Sequence, residues 1–174
     1  MNIYLILVLR FVHVIASVCW AGGAFIFFLF VEPTAKDLEP GGMQFVQHMV
    51  NKRRYSIFMV IASTLTVLSG ALLLWQFASG RWTAYMQTGP GLGFVLGSVV
   101  GAVVYFIGMF GVKPRAERMA KIGEEIQANG GAPTPAQGAE LGKLDKEMSR
   151  LGLADFVLVA LSLALMGTAR YWYF

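Results

Sequence analysis

The sequence predicts an all-α protein, an integral membrane four-helix bundle, and three observations predict it. Of the 174 residues, 56% are hydrophobic and only 14% charged, a balance that a water-soluble domain of this size does not need. The apolar residues gather into four runs, approximately 3–31, 55–78, 91–112 and 151–174. Each is long enough to cross a hydrocarbon core of about 30 Å as a helix. The lysines and arginines, finally, crowd two of the three connections and nearly avoid the third. A single domain over residues 1–174 follows, with helices 3 and 4 prolonged beyond the bilayer as a helical hairpin over 113–150.

Helix 1 carries Arg10 and His13 inside its apolar run and has no clear small-residue cleavage site before the polar loop, so it reads as a spanning helix rather than a signal peptide. Glu32-Pro33 is expected to end it, because proline disfavours helix in the residue before it. Residues 43–54 form an amphipathic lead-in to helix 2. Met43, Phe45, Val46, Met49 and Val50 are its apolar members; Gln44, Gln47, His48 and Asn51 share the polar face, and Lys52, Arg53 and Arg54 anchor it at the headgroups.

Helix 2 holds Ser56, Ser63, Thr64, Thr66, Ser69 and Gly70, small residues that allow close helix approach. Trp75, Trp82 and Tyr85 at its far end suit an interfacial aromatic belt. In helix 3 the spacing of Gly93, Gly97 and Gly101 gives two overlapping small-xxx-small steps, a helix contact and not a phosphate loop, since no strand precedes it. Past Val112 the pattern turns polar but stays helical, with Glu117 and Lys121 at a supporting spacing. Asn129 to Pro133 is the break. Thr134-Pro135 supplies an N-cap and first-turn proline for the arm that runs into helix 4.

The cation bias sets the orientation. Lys36, Lys52, Arg53 and Arg54 lie in loop one; Lys113, Arg115, Arg118, Lys121, Lys143, Lys146 and Arg150 in loop three; Arg81 alone in loop two. Loops one and three are therefore expected in the cytoplasm, and both termini on the outer, periplasmic side of a bacterial inner membrane. The net charge of +4 reflects this loop bias and does not point to nucleic acid. Cys19 is the only cysteine, which leaves no intrachain disulfide and no CxxC motif.

The chemistry concentrates in helix 1. At about 100° per residue, Arg10, His13, Ser17 and Trp20 share one stripe. A titratable or cationic side chain in hydrocarbon costs roughly 2.5 kcal/mol or more, so the stripe faces the bundle interior. The second histidine does not complete a bis-histidine site. The 18 positions from His13 to Val31 put His48 on the order of 27 Å away in depth. Helix 4 instead brings Met166 to the level of His13 and Arg170 one turn further out, as Arg10 is one turn outward of His13. That set suits a b-type haem, with iron between His13 and Met166 and the propionates on Arg10 and Arg170. Two other local readings remain: a cluster of Arg10, His13 and Arg170 that binds a lipid phosphate, and a proton path. Asp155, the only acid within an apolar run, is expected in the first turn of helix 4, complementing the helix N-terminus or paired with Arg54.

The histidine seven residues before Trp20-x-Gly22-Gly23 resembles the opening of CopD-like copper-resistance membrane domains and, more distantly, of HemJ-type protoporphyrinogen oxidases. The ending from Ala154-Asp155 to Arg170-Tyr171 is similar to the last helix of uncharacterised four-helix relatives of that group. The HemJ likeness implies a haem-linked role with a histidine at the position of His13. Helix 3 has no lysine where those oxidases carry an essential one. The CopD likeness implies copper handling, for which this chain has no ladder of methionines or histidines. The leading expectation is a haem b protein of electron transfer or a redox-complex subunit, with homo-oligomer or complex partners. A non-catalytic membrane subunit or assembly factor is second, and a copper-handling protein third.

Overall fold

The computed structural model describes residues 3–38 and 41–174; Glu39 and Pro40, and the side chain of Met43, lie outside the described residues. Among those described the chain is helical with no strand. The helices are α1 (Ile3–Asp37), α2 (Gly41–Gln47, running on through a wide turn at His48–Lys52), α3 (Tyr55–Ala78), α4 (Trp82–Met86), α5 (Gly89–Ala128) and α6 (Pro135–Tyr171). Helices α1, α3, α5 and α6 are long and apolar enough to cross a membrane. Most of their large side chains are exposed, among them Phe11, Val18, Leu68 and Phe110, as lipid-facing surfaces require.

Pro33 does not end α1. The helix widens to a π-type turn over Phe27–Val31, where the Glu32 amide donates to the Phe27 carbonyl, and continues to Asp37. Proline lacks the amide that in a regular helix donates to the carbonyl one turn earlier, and the wider register just before it lets the chain absorb the missing bond. The same device precedes Pro114: α5 widens over Ile107–Val112, and the Lys113 amide donates to Gly108.

Two close pairs build the bundle. Helices α1 and α3 run antiparallel, with Gly23 against Met59 and Tyr55, and Gly70 against His13. The Tyr55 hydroxyl donates to the Gly23 carbonyl at 2.9 Å. Helices α5 and α6 form the second pair. The glycine stripe meets α6 step by step, Gly93 against Ala169, Gly97 against Met166 and Gly101 against Ser162. The Ser162 hydroxyl donates to the Gly97 carbonyl at 2.9 Å, a bond that close backbone approach permits. The pairs join through Phe156 of α6, whose ring lies 5.0 Å from Phe25 and 5.2 Å from Phe28, and through the buried cluster of Ala21, Val104 and Val159 with Trp20 packed on it.

At the charged end, α5 and the start of α6 form a helical hairpin. Gly130 and Gly131 turn it at φ of +94° and +85°, a region that glycine enters without strain. Thr134 and Gln137 then make a reciprocal capping box. Arg118 grips Glu140 with two bonds of 2.7 and 2.8 Å, and Arg115 binds Glu147 at 2.7 Å. Glu117 lies 3.8 Å from Lys113 and not in the expected pair with Lys121. The polar face of α2 docks on the hairpin: Gln47 covers Gly123, and Asn51 donates to Glu124 at 3.2 Å. Phe45, on its other side, is exposed.

Candidate functional site

The interior contains two cavities that meet at Trp20, which lines both. The first, about 170 Å³ and open on one side, holds His13, Ser17, Trp20 and Met166 in its wall. Four of the six residues singled out in the sequence are thereby brought together. Arg10 and Arg170 stand exposed outside the lining, with the Arg170 guanidinium 5.1 Å from the Tyr171 ring. His48 is exposed on the wide turn after α2.

His13 is held in one orientation. Its Nδ1 lies 2.9 Å from the Thr66 carbonyl, which only accepts, so Nδ1 carries the proton and donates. In the neutral ring Nε2 then bears the lone pair, and among the described residues no hydrogen bond engages it. Gly70 makes this placement possible, since a Cβ there would lie 2.8 Å from Cε1 of the ring. Ser17 is committed to its own helix, its hydroxyl donating to the His13 carbonyl at 2.6 Å. The hydroxyls of Thr66 and Ser69 likewise bond back to α3 carbonyls. The hydroxyls of Ser17 and Thr66 are thus committed to backbone carbonyls, as is that of Ser162, and Nε2 of the imidazole carries no such bond among the described residues.

The donor set suits a haem iron. An imidazole whose Nδ1–H is fixed by a carbonyl is the usual form of a ligating histidine, and the Met166 thioether shares the wall. The room is smaller than a porphyrin, because a cavity of about 150 Å³ holds a single benzene ring. The cavity is only partly enclosed, so a group that large would have to extend beyond it. Among the described residues no group of three or more His, Cys, Asp or Glu side chains converges on a metal position.

The second cavity, about 180 Å³, lies toward the charged end and corrects the expectation for Asp155. Helix α6 begins at Pro135, so Asp155 sits well inside it and not in its first turn. Among the described residues it forms no ion pair with Arg54 or any other cation; it lines the cavity instead. The first-turn position follows from hydropathy alone; the prolonged helix 4 that the same sequence predicts already puts Asp155 well inside the helix. Comparison of the chain with known protein families, with characterised proteins and with solved structures returns no match, so the two cavities are read from their own geometry.

Proposed function

We propose that this is a haem b-binding, multi-pass protein of the bacterial inner membrane, acting in electron transfer or as a subunit of a redox complex. The observation that carries the reading is the His13 imidazole, fixed through Nδ1 by Thr66, with no hydrogen bond to Nε2 among the described residues, in the wall of the cavity that Met166 also lines. His13 and Met166 would hold the iron; Arg10 and Arg170, exposed at the same end of the bundle, would hold the propionates. Bound haem supplies a one-electron couple, whose potential a His/Met pair raises. In the orientation that the cation bias favours, this cavity lies in the periplasmic half and the hairpin extends into the cytoplasm as a surface for partner subunits.

The test is a reduced-minus-oxidised absorption spectrum of purified protein from haem-replete cells, beside a His13→Ala variant. An α-band that the folded variant lacks supports the proposal. No band in the wild type overturns it.

One observation favours a second reading, a non-catalytic membrane subunit. The His13–Thr66 bond ties α1 to α3 by itself, as interhelical polar bonds in membranes do. On that reading His13→Ala destabilises the bundle, no spectrum changes, and His13→Asn, which keeps a donor, restores stability.

A further inference from the structure

We propose that the second cavity is a binding site for a small organic cation with an aromatic or branched apolar body, held by the Asp155 carboxylate within a wall of aromatic rings.

The charges around the cavity do not balance without such a guest. Two charged side chains line it besides Asp155, namely Glu32 and Lys113. Glu32 is satisfied by Lys36 at 2.8 Å and by the Ser149 hydroxyl at 3.1 Å. Lys113 lies 3.8 Å from Glu117. Asp155 is left in the wall, and among the described residues no hydrogen bond or ion pair reaches its carboxylate. A carboxylate in apolar surroundings must pair or give up its charge. A guest cation gives it the first course.

The rest of the wall is suited to the same guest. Trp20, Phe28, Tyr55, Tyr105 and Phe156 line the space, and ring faces attract a cation within about 6 Å, most strongly where water is excluded. A quaternary or hindered ammonium gains from such faces while its alkyl groups fill apolar volume. A strongly hydrated metal ion gains neither, and among the described residues no group of three or more His, Cys, Asp or Glu side chains converges to ligate one.

The backbone supplies an independent observation. The wide turns at Phe27–Val31, His48–Lys52 and Ile107–Val112 come from three different helices, and each contributes residues to this one cavity. Wide turns of this kind are concentrated at functional sites, because they spread a helix and open room beside it. Proline accounts for two of the three, since Pro33 and Pro114 each follow such a turn with one residue between; their convergence on one space is what marks it.

The cation site is independent of whether His13 carries haem. The experiment uses the full chain in nanodiscs and radiolabelled benzyltrimethylammonium by equilibrium dialysis, with empty nanodiscs as blank. Neopentylbenzene, its uncharged carbon isostere, serves as competitor. Expected are saturable binding, affinity about tenfold or more lower in Asp155→Asn, recovery in Asp155→Glu, and at least about tenfold weaker competition by the isostere than by the unlabelled cation. Absence of saturable binding, equal affinity in Asp155→Asn, or equal competition by the isostere overturns the proposal. Should Asp155→Asn fail to insert, Phe156→Leu replaces it: loss of cation affinity with unchanged isostere binding supports the site, and unchanged cation affinity overturns it. The same assay on His13→Ala separates this site from the haem reading, since binding should persist there.

Discussion

The His13 ring lies against the backbone of Gly70, so near that a Cβ at Gly70 would stand 2.8 Å from Cε1 and 3.1 Å from Nδ1. That contact positions the only imidazole of the interior. Gly70→Ala is expected to push the ring off the Thr66 carbonyl at a cost of about 1–3 kcal/mol, as overpacking does. Denaturation in mixed micelles measures it. An ordinary unfolding midpoint in Gly70→Ala would show that the ring moves freely and is not fixed by this contact.

Not every glycine should respond alike. A Cβ at Gly93 would meet Ala169 at 2.7 Å from its Cβ and 3.0 Å from its Cα, where backbone cannot yield. One at Gly22 meets nothing within 4 Å. Gly93→Ala should therefore destabilise by about 1–3 kcal/mol, while Gly22→Ala should be neutral or gain up to about 1 kcal/mol of helix propensity. The pair of unfolding midpoints, measured side by side, checks the antiparallel register of α5 on α6.

Tyr55→Phe removes the 2.9 Å bond to the Gly23 carbonyl and little else. A loss of about 0.5–1.5 kcal/mol is expected, at the lower end if the denatured chain finds other partners within the micelle. The stacked contact of Tyr55 with Phe27 should survive, and aromatic circular dichroism follows it.

The hairpin should loosen in acid. Bonds from Arg118 to Glu140 and from Arg115 to Glu147 hold both carboxyls below their ordinary pKa. A depressed folded pKa gives stability that is full above the unfolded value of about 4.3 and is lost as pH falls through the folded one. The double variant Glu140→Gln, Glu147→Gln should therefore unfold more easily than wild type at pH 7 and equally easily once the pH has fallen below the lowered folded pKa values. A difference that persists at the lower pH would mean that the glutamates act through packing and not through charge. Both pairs are partly exposed, so salt should also shrink the effect.

If haem is bound as proposed, Met166→Leu should keep the α-band of a His13-ligated haem but weaken the low-spin signal and lower the midpoint potential. Redox titration of the variant reads both. A spectrum and potential identical to wild type would leave Met166 as the residue that packs on Gly97 and nothing more.

Much of this protein was determined by local rules that a sequence carries openly. Four apolar runs of spanning length, the Gly93-Gly97-Gly101 spacing, the Thr134-Pro135 cap and the glycine break before it all act over a few residues, and each appears in the helices as read. Depth along a helix is also local, since the rise per residue is constant, and so Met166 could be set at the level of His13, whose cavity wall it shares. Tertiary structure decided what depends on register between helices. Only the packing of α1 on α3 brings the Thr66 carbonyl to Nδ1 of His13. Only the assembled bundle shows that Arg10 and Arg170 lie outside that cavity. Pro33 misled because a proline rule describes regular helix, and the chain escapes it by widening one turn earlier. Asp155 was placed at a helix end because hydropathy marks where a bilayer begins, whereas hydrogen bonding continued α6 for twenty residues before it, from Pro135.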